Sequence, residues 1–118
     1  MEKNMTNTGM NGVASEAAYL YRQAREKVDL GEYQHAITIL NRAIEITPHY
    51  PQALIELGNC FDYINRYDDA VSFYEKVIAV DPFYADAWFN KGVCLKKMNR
   101  GNDALPCIEK AIELYCGR

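Results

Sequence analysis

The stretch that decides the fold runs from Pro51 to Tyr84 and reads PQALIELGNCFDYINRYDDAVSFYEKVIAVDPFY. Its apolar residues recur at three- and four-residue steps in two runs on either side of Asn65-Arg66, and this predicts helices over 51–64 and 67–80. Pro51 suits the first turn of a helix, where its missing N–H would have no intrahelical partner. Asp81-Pro82 ends the second run, since proline cannot continue a helix. The 34 residues therefore make one helical hairpin.

The same hairpin recurs on both sides. Ala36, Ala70 and Ala104 are each 34 residues apart, as are Ala43, Val77 and Ala111, and Ile44, Ile78 and Ile112. Leu40, Tyr74 and Ile108 keep the period, as do the pairs Ala53/Ala87, Gly58/Gly92 and Pro48/Pro82. Leu20, Leu54 and Trp88 open the three units with a large apolar residue. Small residues at Ala24, Gly58 and Gly92 let the two helices of a hairpin approach closely, and Ala36, Ala70 and Ala104 do so from the second helix. A fixed period of this length is the signature of a repeat architecture. Six helices are predicted, near 16–29, 33–46, 51–64, 67–80, 85–98 and 102–115, with Ser15 as N-cap of the first. Gly31, Asn65-Arg66 and Asn99-Arg100 mark the turns within units. Pro106 is tolerable if the last helix starts at Asn102 or later and more costly if it starts earlier. Residues 1–14, rich in Asn, Thr, Gly and Met without helical period, read as a disordered tail.

These positions resemble the tetratricopeptide repeat, whose 34-residue pattern is W-x2-LG-x2-Y…A-x3-F…P. The middle unit carries Leu54, Leu57, Gly58, Phe61, Ala70, Tyr74 and Pro82; the third carries Trp88, Gly92, Leu95, Ala104 and Ile108; the first carries Leu20, Ala24, Ala36, Leu40 and Pro48. The first departs with Gln23 and Lys27 at two normally apolar places. The third departs with Lys91, with Gly101 where the others have Tyr33 and Tyr67, and with Cys116 in place of the closing proline. The resemblance implies an all-α, right-handed superhelical solenoid of three repeats, about 17–50, 51–84 and 85–118, in a domain over 15–118 with no clear C-terminal capping helix.

It also implies a ligand groove lined by the first helices. By matching position, Tyr21, Ile55 and Phe89 form an apolar ladder, Arg25, Asn59 and Val93 lie one turn on, and Arg22, Glu56 and Asn90 lie beside the first. Val28, Asp62, Lys96 and Asp29, Tyr63, Lys97 continue towards the helix ends. An extended peptide or helix of a partner is the expected occupant, with Asn59 and Asn90 offered to its backbone through donor and acceptor at once. Family members that bind chaperone tails hold a terminal carboxylate with two Lys, one Arg and two Asn. The corresponding positions here are Tyr21, Arg25, Glu56, Asp86 and Asn90, and none matches. Glu56 and Asp86 would repel a carboxylate. A ligand of mixed charge with apolar anchors is expected instead.

Composition narrows the alternatives. The chain has 118 residues, is 49% hydrophobic and 25% charged, and carries a formal charge of −3. RNA binding, known for related helical-hairpin repeats, ranks low because no basic stripe is present. No phosphate loop, HExxH or GxSxG motif occurs, so an enzyme ranks lowest and no cofactor or metal is expected. His35 and His49 stand on different elements without companions at ligand spacing. Asp68-Asp69 begins a helix, where caps and dipole contacts are favourable. Cys60 and Cys94 fall between successive first helices and read as core; Cys116 reads as exposed. The start of the chain lacks a secretory apolar run, and no segment nears a membrane span, so a cytoplasmic protein with reduced thiols is expected.

The last helix carries Leu105, Ile108, Ile112, Leu114 and Tyr115 with no helix after it to cover them all. An exposed apolar patch of this kind marks an interaction site. The rival expectation to a peptide-binding adaptor is therefore a homodimer or stack built through Leu105, Ile108, Ile112, Tyr115 and Cys116.

Overall fold

The computed structural model describes the backbone of residues 2–117 and the side chains of residues 15–117. It contains six helices: α1 (Glu2–Asp29), α2 (Tyr33–Ile46), α3 (Pro51–Tyr63), α4 (Tyr67–Val80), α5 (Ala85–Lys97) and α6 (Gly101–Tyr115). They pair as α1–α2, α3–α4 and α5–α6. Each hairpin then packs on the next through α2–α3 and α4–α5. This is the predicted three-unit array.

Each turn within a unit is built the same way. Gly31, Asn65 and Asn99, one repeat apart, all adopt the left-handed conformation, with φ of 76°, 65° and 61°. Glu32 N donates to Lys27 O, Arg66 N to Phe61 O and Arg100 N to Leu95 O, each at 2.8 Å. These are the six-to-one bonds of a Schellman cap, which satisfy carbonyls left over at a helix end. Glycine and asparagine tolerate that conformation best among the residues, which explains their place at this step of the repeat.

The core follows the small-residue ladder. Ala24, Ala36, Leu40, Leu57, Cys60, Ala70, Tyr74, Val77, Ala87 and Cys94 are fully buried. A methyl group on Gly58 would sit 2.5 Å from Cε1 of Tyr74, and one on Gly92 would sit 2.6 Å from Cγ1 of Ile108. The glycines thus admit the large side chain of the facing helix.

Three local expectations need correction. Ser15 lies inside α1 and does not cap it, because the helix begins ahead of it. Asp68 and Asp69 stand in the first turn of α4, where acidic groups favour the helix dipole, but no side chain caps that helix. Asp69 instead pairs with Arg66 at 2.7 Å. Helix α6 starts at Gly101, so Pro106 lies within it, past the first turn, and withholds an N–H from the Asn102 carbonyl. Both residues are exposed, and water can serve that carbonyl. The expectation of a disordered tail falls on residues 1–14, whose side chains lie outside the description.

First helices of successive units also approach within 8 Å at Cα, α1 against α3 and α3 against α5, while among the described residues no two second helices come that close. The first-helix layer is therefore the tighter one. This is the layer on which the expected groove positions lie.

Candidate functional site

The expected groove positions lie on α1, α3 and α5. Tyr21 and Tyr50 pack ring against ring at 5.6 Å. Arg25 donates to the Tyr21 hydroxyl at 3.4 Å and stands 3.8 Å from a carboxylate oxygen of Glu56. The hydrogen bond to Tyr21 and then the charge of Glu56 raise the Arg25 pKa. Glu56 is the more enclosed partner. Burial raises its carboxyl pKa, against the opposing pull of Arg25 and a hydrogen bond from Asn59.

Asn59 is the central polar residue. Its Oδ1 accepts from the Tyr74 hydroxyl at 2.7 Å and from Nδ2 of Asn90 at 3.1 Å. The Asn59 carbonyl oxygen is thus doubly engaged within the protein. Asn90 keeps its own Oδ1, which has no partner in the protein among the described residues.

Further along, Lys97 donates to Asp62 at 2.9 Å between α5 and α3. That bond, the largest cause, raises the lysine pKa. Tyr63 stacks on Tyr33 at 4.7 Å and is 59% exposed, and Phe89 is 42% exposed. Ile55 is only 6% exposed and packs with the Tyr74 cluster, so it offers little surface. Arg22 is exposed and Val93 half-buried. At the far end Tyr115 of α6 donates to Asp86 of α5. Burial, helped by that acidic partner, pushes the phenol up to about 12.

The α6 residues divide. Leu105, Ile112 and Tyr115 are more than half exposed, at 57%, 54% and 57%, while Ile108 turns inward against Leu95 and Cys107. Cys116 is exposed, and the other three cysteines are buried free thiols. Among the described residues no group of His, Cys, Asp or Glu has the arrangement of a metal site, and no helix is long and apolar enough to cross a membrane.

Two family models, both described as tetratricopeptide repeat, match residues 17–50 and residues 51–84 and 85–115. The chain belongs to the tetratricopeptide repeat family. No curated protein sequence matches it. Among solved structures, MamA aligns at 27% identity with a TM-score of 0.82 over 86% of this chain and 60% of its own length. YrrB, described as a TPR protein with an unusual peptide-binding site, aligns at 28% identity and TM-score 0.79, over 84% of this chain and 51% of that one. The first TPR of Spaghetti (RPAP3), solved bound to an HSP90 peptide, aligns at 17% identity and TM-score 0.85, over 89% and 83%. At that identity it shows the shared fold alone. The chain thus spans 60% of the MamA structure it matches. Tetratricopeptide domains are in general protein–protein interaction modules, and the three repeats here have that architecture.

Proposed function

We propose that this tetratricopeptide domain is an adaptor that holds a peptide or helix of a partner protein on the face formed by α1, α3 and α5. The observation that carries this reading is the exposure of Tyr63 on α3 and Phe89 on α5, together with the open amide oxygen of Asn90. Two aromatic rings have much of their surface in water, and the carbonyl of Asn90 has no partner among the described residues. Apolar anchors with a backbone-bonding amide are what an extended ligand needs. The description of YrrB as a TPR protein with a peptide-binding site supports the same reading.

The ligand has mixed charge. Arg22 and Lys96 are exposed cations, while Asp29 and Asp86 are exposed anions on the same helices. The carboxylate-clamp positions carry Tyr21, Arg25, Glu56, Asp86 and Asn90, so an acidic chaperone tail is not the ligand. A peptide array compares mixed and all-acidic sequences directly; uniformly tighter binding of acidic peptides overturns the charge assignment. Affinity capture with wild type beside the Phe89→Ala, Asn90→Ala double variant tests the face itself. A partner retained equally by a folded double variant overturns it.

A second reading, self-association through α6, rests on one comparison within the chain. Ile37, Val71 and Leu105 are repeat equivalents, as are Ile44, Ile78 and Ile112. Ile37 is 7% exposed and Val71, Ile44 and Ile78 are half-buried, with the following unit against Val71 and Ile44, whereas Leu105 and Ile112 are more than half exposed. The face that joins one unit to the next is open on α6. Light scattering with Cys116 reduced should show mass rising with concentration; a constant monomer mass overturns this reading.

A further inference from the structure

On the outer side of the array, away from the groove, a cavity of about 370 Å³ opens where the first unit joins the second. Its floor is Leu54, and its walls are Ile44, Pro48, His49, Lys76, Ala79 and Val80. The second helices α2 and α4 supply most of the wall. The site therefore shares no residue with the face proposed for the partner peptide.

The chain contains a template for what fits there. Moving one repeat on, Ile44 becomes Ile78, Pro48 becomes Pro82 and Lys76 becomes Lys110. Those three walls are identical in kind at the second joint, where His49, Ala79 and Val80 become Phe83, Glu113 and Leu114. The floor differs: Leu54 becomes Trp88. At that joint the indole Nε1 donates to the Pro82 carbonyl at 2.7 Å. Leu54 is shorter and has no donor, so the first joint has the walls and the carbonyl of Pro48 without the indole.

We infer that this cavity is a binding site for a tryptophan side chain of a partner protein. The indole would lie on Leu54 between Ile44 and Val80, and its N–H would donate to the Pro48 carbonyl as Trp88 does to Pro82. Its flat apolar body suits the walls, and its single donor suits a single acceptor. A phenyl ring would fill part of the space and leave the carbonyl without its donor. The site does not depend on the groove reading, and either can fail alone.

The test titrates N-acetyl-tryptophanamide, and then a short peptide with one tryptophan, into the full chain while backbone amide NMR shifts are followed. Shifts are expected at His49, Ala79 and Val80, with a dissociation constant on the order of millimolar for the isolated side chain. N-acetyl-phenylalaninamide should bind more weakly. Leu54→Trp fills the cavity from within and should weaken binding about tenfold or more, while raising the melting temperature. If Leu54→Trp fails to fold, Val80→Glu, on an exposed part of the wall that is apolar at both joints, serves the same purpose. The inference is overturned if neither variant weakens binding, if the shifts fall at Phe89 and Asn90 instead, or if the phenyl analogue binds as well. It is also overturned if the wall resonances change with protein concentration and Phe83→Ser abolishes that change. The exposed Phe83 of a second copy would then be the occupant.

Discussion

The hydroxyl of Tyr74, in the fully buried core of the second repeat, donates to Oδ1 of Asn59 on the inner face at 2.7 Å. The same oxygen accepts from Asn90 of the third repeat. One side chain thus ties the core of the second unit to the first helix of the third. Tyr74→Phe removes this donor and little else. A loss of about 1–2 kcal/mol in urea denaturation is expected, typical of a buried hydrogen bond with a partner left behind. A change close to zero would show that Asn59 finds an equal partner in water.

Two glycine substitutions separate close packing from backbone preference. Helix propensity alone favours alanine by about 1 kcal/mol. Gly101→Ala meets nothing within 4 Å and should stabilise the protein by up to about 1 kcal/mol. Gly58→Ala drives a methyl into the Tyr74 ring, whose movement is restrained by burial and by its bond to Asn59. Overpacking of this kind costs about 1–3 kcal/mol, so the sign reverses. Thermal unfolding of the two variants side by side checks the contrast, and equal shifts would refute it.

Glu56 supplies a pH test. Burial raises its pKa in the folded protein above its unfolded value, and this outweighs the lowering by Arg25 and Asn59. Folding therefore favours the protonated form. That contribution is fully present below the unfolded pKa and is lost as pH rises through the folded one. Glu56→Gln fixes a neutral group in place. At pH 7 the variant should match or exceed wild type, by up to about 1 kcal/mol, since the pair with the half-exposed Arg25 at 3.8 Å contributes little. The difference should vanish as the pH falls below the normal carboxylate range. A variant clearly less stable at pH 7 would mean that the ion pair dominates.

Much of this structure was legible beforehand because the repeat period fixes what each position must do. The bounds of α2 to α6 fall within one residue of the hydrophobic pattern, and the glycine ladder named the close contacts. Gly31 and the turns at Asn65 and Asn99 were legible for the same reason. What escaped the sequence depends on how far a side chain reaches. Asn59 looks like a ligand-facing amide until Tyr74, fifteen positions away, is seen to engage it. Ile55 sits at a groove position but turns into the core. Leu54 and Trp88 read as one kind of residue, large and apolar, and only the geometry shows that the indole of Trp88 bonds the Pro82 carbonyl while a cavity opens beside Leu54.

The thiols give the last test. Cys60 and Cys94 are fully buried, and burial pushes both up to about 12. Cys107 is 5% exposed and is also raised by burial. Cys116 is exposed on the turn after α6. Because the thiolate is the reactive form, at pH 8 the two fully buried groups hold only about one part in ten thousand in that form, besides lying out of reach. A disulfide reagent should therefore titrate one thiol rapidly in the native protein and all four in guanidinium. Cys116→Ser should bring the rapid count to zero without changing the unfolding midpoint. The slow reaction of the remaining three should then follow the opening of the repeats, accelerating with denaturant. If Cys107 reacts well ahead of Cys60 and Cys94, α6 opens before the first two units. That order is expected from its half-open surface and the proline within it. Rapid reaction of Cys60 or Cys94 would contradict the tight first-helix packing on which the inner face depends.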